Sequence, residues 1–265
     1  MSAVKRGRGV FTALPSYVGA VAELPLSAVL TADVSGAVVV VPGSGDWWQA
    51  LLSARAGGAA AVVIADPEVL PQETIGSGSW PADVPVIVER PRLRPDAVAE
   101  AIRARGGSPA RIVTVECFAA VASLDAVIRD GVGWARSLLP GSLTLRSGVA
   151  AAQSRIALLD SAGAAGGSIP TTLAGTVAGG LHPGGLLRLL ALGEVRTELT
   201  VDQPAGLTRL ETSTEDGALR APERYESSAR LALRRALVAC SSGEHVTDLE
   251  ELLEDMALTW ALIGV

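Results

Sequence analysis

Lysine is almost absent: of 22 basic residues, 21 are arginine, and the only lysine is Lys5. Arginine stays protonated at any workable pH, so it cannot serve as a general base or form a Schiff base as lysine does. Lysine-dependent catalysis in the body of the chain is thereby excluded. Histidine is equally scarce, with His182 and His245 alone, and the two cysteines, Cys117 and Cys240, are too few for a disulfide framework and too far apart for a metal site. No HExxH, CxxC or GxSxG occurs, which excludes zinc-hydrolase and nucleophile-elbow chemistry. No apolar run approaches the roughly 20 residues that span a bilayer. The start, MSAVKRGRGVFTALP, lacks a long apolar segment with a small-residue cleavage site, so a cytoplasmic protein is expected. A net charge of −6 leaves no excess of basic residues for a nucleic-acid or anionic-membrane surface.

What is present is ample apolar material: 49% of 265 residues are hydrophobic, enough for one large domain or two ordinary ones. The first half alternates strand and helix. Val38–Val41 reads as a buried strand, Trp47–Ala56 as a helix ended by Gly57-Gly58, and strands follow at Ala60–Ala65, Val84–Val88 and Arg111–Glu116, with a helix from Pro95. Such spacing implies parallel pairing with right-handed crossovers. In the second half Leu124–Leu139 reads as helix and Ser142–Ala150 as strand. Ser161–Gly185 has no stable period and reads as loop around a short helix. Glu194–Leu219 alternates as an antiparallel ribbon turning near Gln203–Gly206. In the final helix Thr247 and Glu250 have capping-box spacing, and Glu250, Glu251, Glu254 and Asp255 read as its wet face. Trp47, Trp48 and Trp80 read as core or interface aromatics, and Arg90, Arg92 and Arg94 as a solvated cluster.

The stretch VVVVPGSGDWWQALL, Val38–Leu52, has the strand, turn and helix layout of a phosphate loop. Trp48 stands where a GxGxxG fingerprint needs glycine, and Asp46 at the N-cap satisfies the free amides and repels a phosphate. The stretch therefore reads as a capped helix after a buried strand. No ribose-binding acid stands at the proper distance after a glycine turn.

Three segments resemble the glucose-fructose oxidoreductase, inositol dehydrogenase and MocA family. VIVERPRLRPDAVAEAI, Val86–Ile102, is similar to its strand, Glu-Lys-Pro turn and helix. GGLHPGGLLRLLALGEV, Gly179–Val195, is similar to its segment with a histidine and an aspartate three residues later. Arg224–Leu262 is similar to its closing helices. The resemblance implies a Rossmann-like parallel sheet over residues 1–118, incomplete in its N-terminal half and without a glycine-rich loop, then an α+β domain over 119–265 with an antiparallel sheet and C-terminal helices. It places Pro42, Gly43 and Glu89 at the cofactor and gives His182 and Arg90 the catalytic positions.

Departures from that pattern fall on the family's chemistry. About 35 residues precede the Val38 strand, too few for a full strand, glycine loop, helix and strand. Arg90 replaces the catalytic lysine and cannot shuttle a proton; Gly185 replaces the aspartate, leaving His182 without its neighbouring acid. The expectation is an oxidoreductase-like protein with no cofactor and no independent dehydrogenase activity, serving as a binding or assembly subunit in a homo-oligomer or with a related protein. The alternatives are an active NAD- or NADP-dependent oxidoreductase on a sugar or polyol, with His182 as acid/base and Arg90 as clamp, and a regulatory module for a small metabolite.

Overall fold

The structure, a computed structural model, describes residues 7–75, 80–163, 167–179, 184–243 and 245–264. Its first elements are β1 (Arg8–Phe11), α1 (Pro15–Ala22), β2 (Ala28–Leu30), β3 (Val38–Pro42), α2 (Trp47–Ala56), β4 (Ala61–Ala65), the short α3 (Gln72–Ile75) and β5 (Val86–Glu89). Then come α4 (Pro95–Arg105), β6 (Ile112–Ala119), α5 (Leu124–Leu138), β7 (Leu143–Ala151), β8 (Ser154–Ala162), β9 (Ser168–Val177) and β10 (Leu186–Leu192). The chain closes with β11 (Arg196–Asp202), β12 (Leu207–Thr214), β13 (Gly217–Arg220), α6 (Ser228–Ser242) and α7 (Asp248–Ile263). Two compact units result: residues 1–90 with 225–252, and 91–224 with 253–265. The expected division at residue 118 differs from this one. β6 pairs with β9 and β10 in the second sheet, and α6 packs on β4 and β5 in the first unit.

In the first unit a parallel sheet runs β2-β1-β3-β4-β5. The valine-rich cores of β3 and β4 are buried on both sides, as parallel strands require. The 35 or so residues ahead of β3 hold an abbreviated strand, helix and strand, so the N-terminal half is short, with β2 only 3 residues long and forming the sheet edge. Tyr17 on α1 is fully buried among Val10, Val38, Val63 and Leu233, and its hydroxyl donates to Glu89 Oε2 at 2.7 Å. Burial, then the Glu89 charge, push the phenol far above its ordinary range, so it stays a donor. At the outer side of β5, Asp248 accepts the Val88 amide at 3.0 Å and both Arg235 Nη atoms at 2.7 Å, joining strand and two helices.

The second unit holds a mixed sheet of order β13-β12-β11-β10-β6-β9-β8-β7, in which only β6 and β9 pair in parallel. The ribbon expected over 194–219 is there as β11, β12 and β13. The loop expected over 161–185 is not: β9 is a central strand whose inward positions are Ile169, Thr171, Leu173 and Gly175. Threonine and glycine at half of those positions hid the alternation. α5 packs on β6, β9 and β10, while the opposite sheet face leaves Ile112, Val149, Ile156, Leu158 and Leu192 exposed.

Charge is buried where solvation was expected. Arg90, Arg92 and Arg94 are 6%, 4% and 8% exposed, which corrects the solvated-cluster reading. Carboxylates make this possible: Arg92 Nε donates to Asp130 at 2.7 Å, Arg129 Nη2 to the same carboxylate at 2.7 Å, and Arg94 to Asp96 at 2.8 Å. Asp255, expected on a wet face, is fully buried and takes Arg136 Nε at 2.8 Å.

The Tyr17 bond yields a stability prediction. Tyr17→Phe removes a buried donor from Glu89 and keeps the ring, so it should cost about 1–3 kcal/mol. Urea unfolding should show a lower midpoint with an unchanged slope; an unchanged midpoint would show that the bond contributes nothing.

Candidate functional site

An open parallel sheet binds ligands beyond the carboxyl ends of its strands, where the strand order reverses. Here β1 crosses to β2 on one side, and the chain then returns to β3 on the other, so the reversal lies between β1 and β3. Two turns line it: Thr12-Ala13-Leu14 leading into α1, and Gly43-Ser44-Gly45-Asp46 leading into α2.

The first turn contains no glycine. Proline takes the first position of α1 and brings no N–H, the Leu14 amide donates to Thr12 Oγ1 at 3.1 Å, and the Tyr17 and Val18 amides both go to the Leu14 carbonyl at 3.0 Å. A pyrophosphate needs several free amides converging on it; here Pro15 has none and those of Leu14 and Tyr17 are taken, while the Val18 bond is the ordinary first turn of the helix. The second turn matches its expectation. Asp46 caps α2, accepting the Gln49 amide at 2.9 Å, and so occupies the place an anion would take.

Pro42 and Gly43 end β3, but Gly43 is closed in by backbone. Its amide donates to Ala65 O at 2.9 Å and its carbonyl accepts from the Glu68 amide at 2.8 Å. A Cβ there would lie 2.3 Å from Ala65 O and 2.5 Å from Asp66 O. Glycine is needed for packing against the turn after β4, where Asp66 holds a left-handed φ of 45°. Asp66 in turn donates its amide to Glu89 O at 3.0 Å. Backbone bonds thus tie together the carboxyl ends of β3, β4 and β5, and Tyr17 fastens α1 to the same edge through the Glu89 side chain.

The third cofactor candidate, Glu89, belongs to the Tyr17 pair. Of the catalytic candidates, Arg90 follows it in sequence and is buried. His182 lies outside the described residues. Gly185, at the position of the family's aspartate, has a φ of 68°, and a Cβ there would meet Phe118 O at 2.7 Å and Val127 Cγ2 at 2.9 Å. On this backbone an acid has no room at that position.

Among the described residues the turn after β1 lacks the glycine-rich form that usually grips a dinucleotide's pyrophosphate. One feature of such a site does occur: exposed Asp33 follows β2, the place where the fold puts a ribose-binding acid. Its Oδ1 accepts the Ser35 amide at 2.9 Å. The sequence reading missed Asp33 because it sought a glycine turn first, and missed Tyr17 because a single aromatic in a short helix carries no periodic signal. Trp47 and Trp48 are buried, in keeping with core aromatics, and Trp80 is partly exposed. Among the described residues no cluster of His, Cys, Asp and Glu could hold a metal ion, and no helix is long and apolar enough to cross a membrane.

No protein-family model and no curated protein sequence matches the chain. Solved structures do. UDP-N-acetylglucosamine 3-dehydrogenase from Acidithiobacillus ferrooxidans superposes with a TM-score of 0.68 at 14% identity, over 96% of this chain and 95% of that one. A 3-ketoreductase from Actinomadura kijaniata, in an open conformation with TDP-benzene and NADP, gives 0.64 at 14% over 97% of each chain. The same enzyme with NADP gives 0.66 at 13%, over 98% of this chain and 97% of that one. At such identity the likeness is one of fold alone, a Rossmann-like parallel sheet together with a larger mixed sheet.

Proposed function

We propose that this chain is a member of the glucose-fructose oxidoreductase, inositol dehydrogenase and MocA group that has lost independent hydride transfer and works as a binding or assembly subunit. The observation that carries the reading is the turn after β1, which has no glycine and whose Leu14 and Tyr17 amides are already bonded. Two further features support it. Arg90 stands where the family has a proton-shuttling lysine, and Gly185 is packed where the family has an acid. The partner surface is the uncovered face of the eight-stranded sheet. Toward its β7 edge Val149, Ile156 and Ala174 stand side by side, with Leu158 beside Thr172 one row away. Contiguous exposed apolar residues of this kind mark association surfaces, and a second copy or a related chain would cover them.

One observation favours a second reading, an active NAD(P)-dependent oxidoreductase on a sugar nucleotide or related polyol. Asp33 stands at the ribose position, and the structures similar to this chain include NADP complexes of a 3-ketoreductase. In that reading His182 would act as acid/base and Arg90 would position the substrate. A regulatory module for a small metabolite is the remaining alternative.

Thermal unfolding with NAD(H) and NADP(H), each at millimolar concentration, separates these readings. We expect no shift with any of the four. A ligand at 100 times its dissociation constant stabilises by about 2.7 kcal/mol, so a clear rise in midpoint would sink the proposal and direct work to turnover with a His182→Ala control.

The assembly part has its own measurement. Ile156→Glu places a charge among the apolar residues of the open face, one strand in from the β7 edge, and sedimentation should show the wild-type assembly reduced to single chains without loss of helix content. A monomeric wild-type protein that also recruits no related chain would overturn it.

A further inference from the structure

At the amino ends of β4 and β5, away from the carboxyl edge, the first unit contains a cavity of about 420 Å³. Its walls include Trp80, Asp83, Cys240, His245, Leu249 and Glu250. The volume suits one small molecule, and one group in the wall is unsatisfied: Glu250 Oε2 is buried with no hydrogen-bond partner among the described residues. Buried acceptors are nearly always paired, and leaving one unpaired is costly.

Local sequence offered Glu250 an inexpensive partner. It lies three residues after Thr247, the spacing of a capping box, in which its carboxylate would fold back onto the start of α7. That arrangement is not the one formed. Thr247 Oγ1 donates to Glu251 at 2.8 Å, one residue further on, and Glu250 lines the cavity.

The other walls define what could satisfy the carboxylate. Trp80 is 41% exposed and offers an indole to an apolar body or a cation. Asp83 adds a second carboxylate, held by Arg55 Nε at 2.5 Å, so an anionic ligand would face two negative groups. Cys240 is not a nucleophile here: its Sγ lies 3.6 Å from Ala60 O, and burial pushes the thiol up. The cavity therefore calls for a donor with positive charge and a short apolar portion.

We propose that this cavity binds a small organic ammonium compound, its nitrogen on the Glu250 carboxylate and its carbon chain against Trp80. The site is independent of any dinucleotide at the carboxyl edge, and the proposal goes beyond the function argued above.

The test uses the full chain and titrates n-butylammonium against tryptophan fluorescence and by calorimetry, with n-butanol as the uncharged isostere. A saturable response to the amine and none to the alcohol is expected. Trp80→Phe should remove the fluorescence change, and Glu250→Gln should weaken binding at least tenfold. Without ligand, Glu250→Gln should unfold at or above the wild-type midpoint, because the oxygen it replaces has no hydrogen-bond partner among the described residues to lose. A linear response, as from a cavity that holds only water, would overturn the proposal. So would equal binding of the alcohol, unchanged affinity in Glu250→Gln, or a lowered midpoint in that variant, which would make the carboxylate structural.

Discussion

The close approach of Gly43 to the turn after β4 sets the character of the first unit. With a Cβ excluded at 2.3 Å from Ala65 O, the carboxyl end of β3 lies directly on the backbone of Ala65 and Asp66. Each following contact depends on that one. The Gly43 amide and carbonyl are taken by Ala65 and Glu68, Asp66 reaches the Glu89 carbonyl from a left-handed conformation, and Tyr17 draws α1 toward the Glu89 carboxylate. In a parallel sheet the carboxyl edge is where ligands enter. Here much of its hydrogen-bonding capacity is directed inward, which gives stability to the edge and leaves few donors for an anion.

Arginine takes on a structural part in the second unit. A guanidinium carries five donors in a fixed fork and is less strongly hydrated than an ammonium, so it tolerates burial beside carboxylates that lysine would tolerate poorly. Asp130, flanked by Arg92 and Arg129, and Asp255, held by Arg136, are buried through such forks. Removing one partner of such a group leaves an uncompensated charge, so these pairs constrain sequence more tightly than surface pairs do. The near absence of lysine is thus compatible with a chain that keeps many charges indoors.

Much of the fold was legible in the sequence, and the reasons are local. β3 and β4 are built on continuous β-branched runs, α2 begins at a capping aspartate, and β11 and β12 alternate around a Pro-Ala-Gly turn. β9 escaped because threonine and glycine occupy inward positions, and β1 and β2 because strands of 4 and 3 residues give almost no period. The site was less legible for a different reason. Burial of Arg92 depends on Asp130, 38 residues away, and the Tyr17 bond to Glu89 spans 72 residues. No window of sequence contains both partners.

The positions where the chain departs from the pattern that the sequence resemblance implies are better understood as backbone than as side chains. At Gly185 a φ of 68° and a Phe118 carbonyl 2.7 Å from any Cβ forbid the acid that the resemblance would place there. At Gly43 the same kind of contact forbids any side chain at all. A turn lacking glycine after β1 completes the set, since Leu14 and Pro15 fix that segment before any phosphate could arrange it. An active-site residue can be lost by one substitution while the backbone stays ready for its return. Packing of this kind is different, because restoring a side chain would require β10's entry, the turn after β4 and the start of α1 each to move.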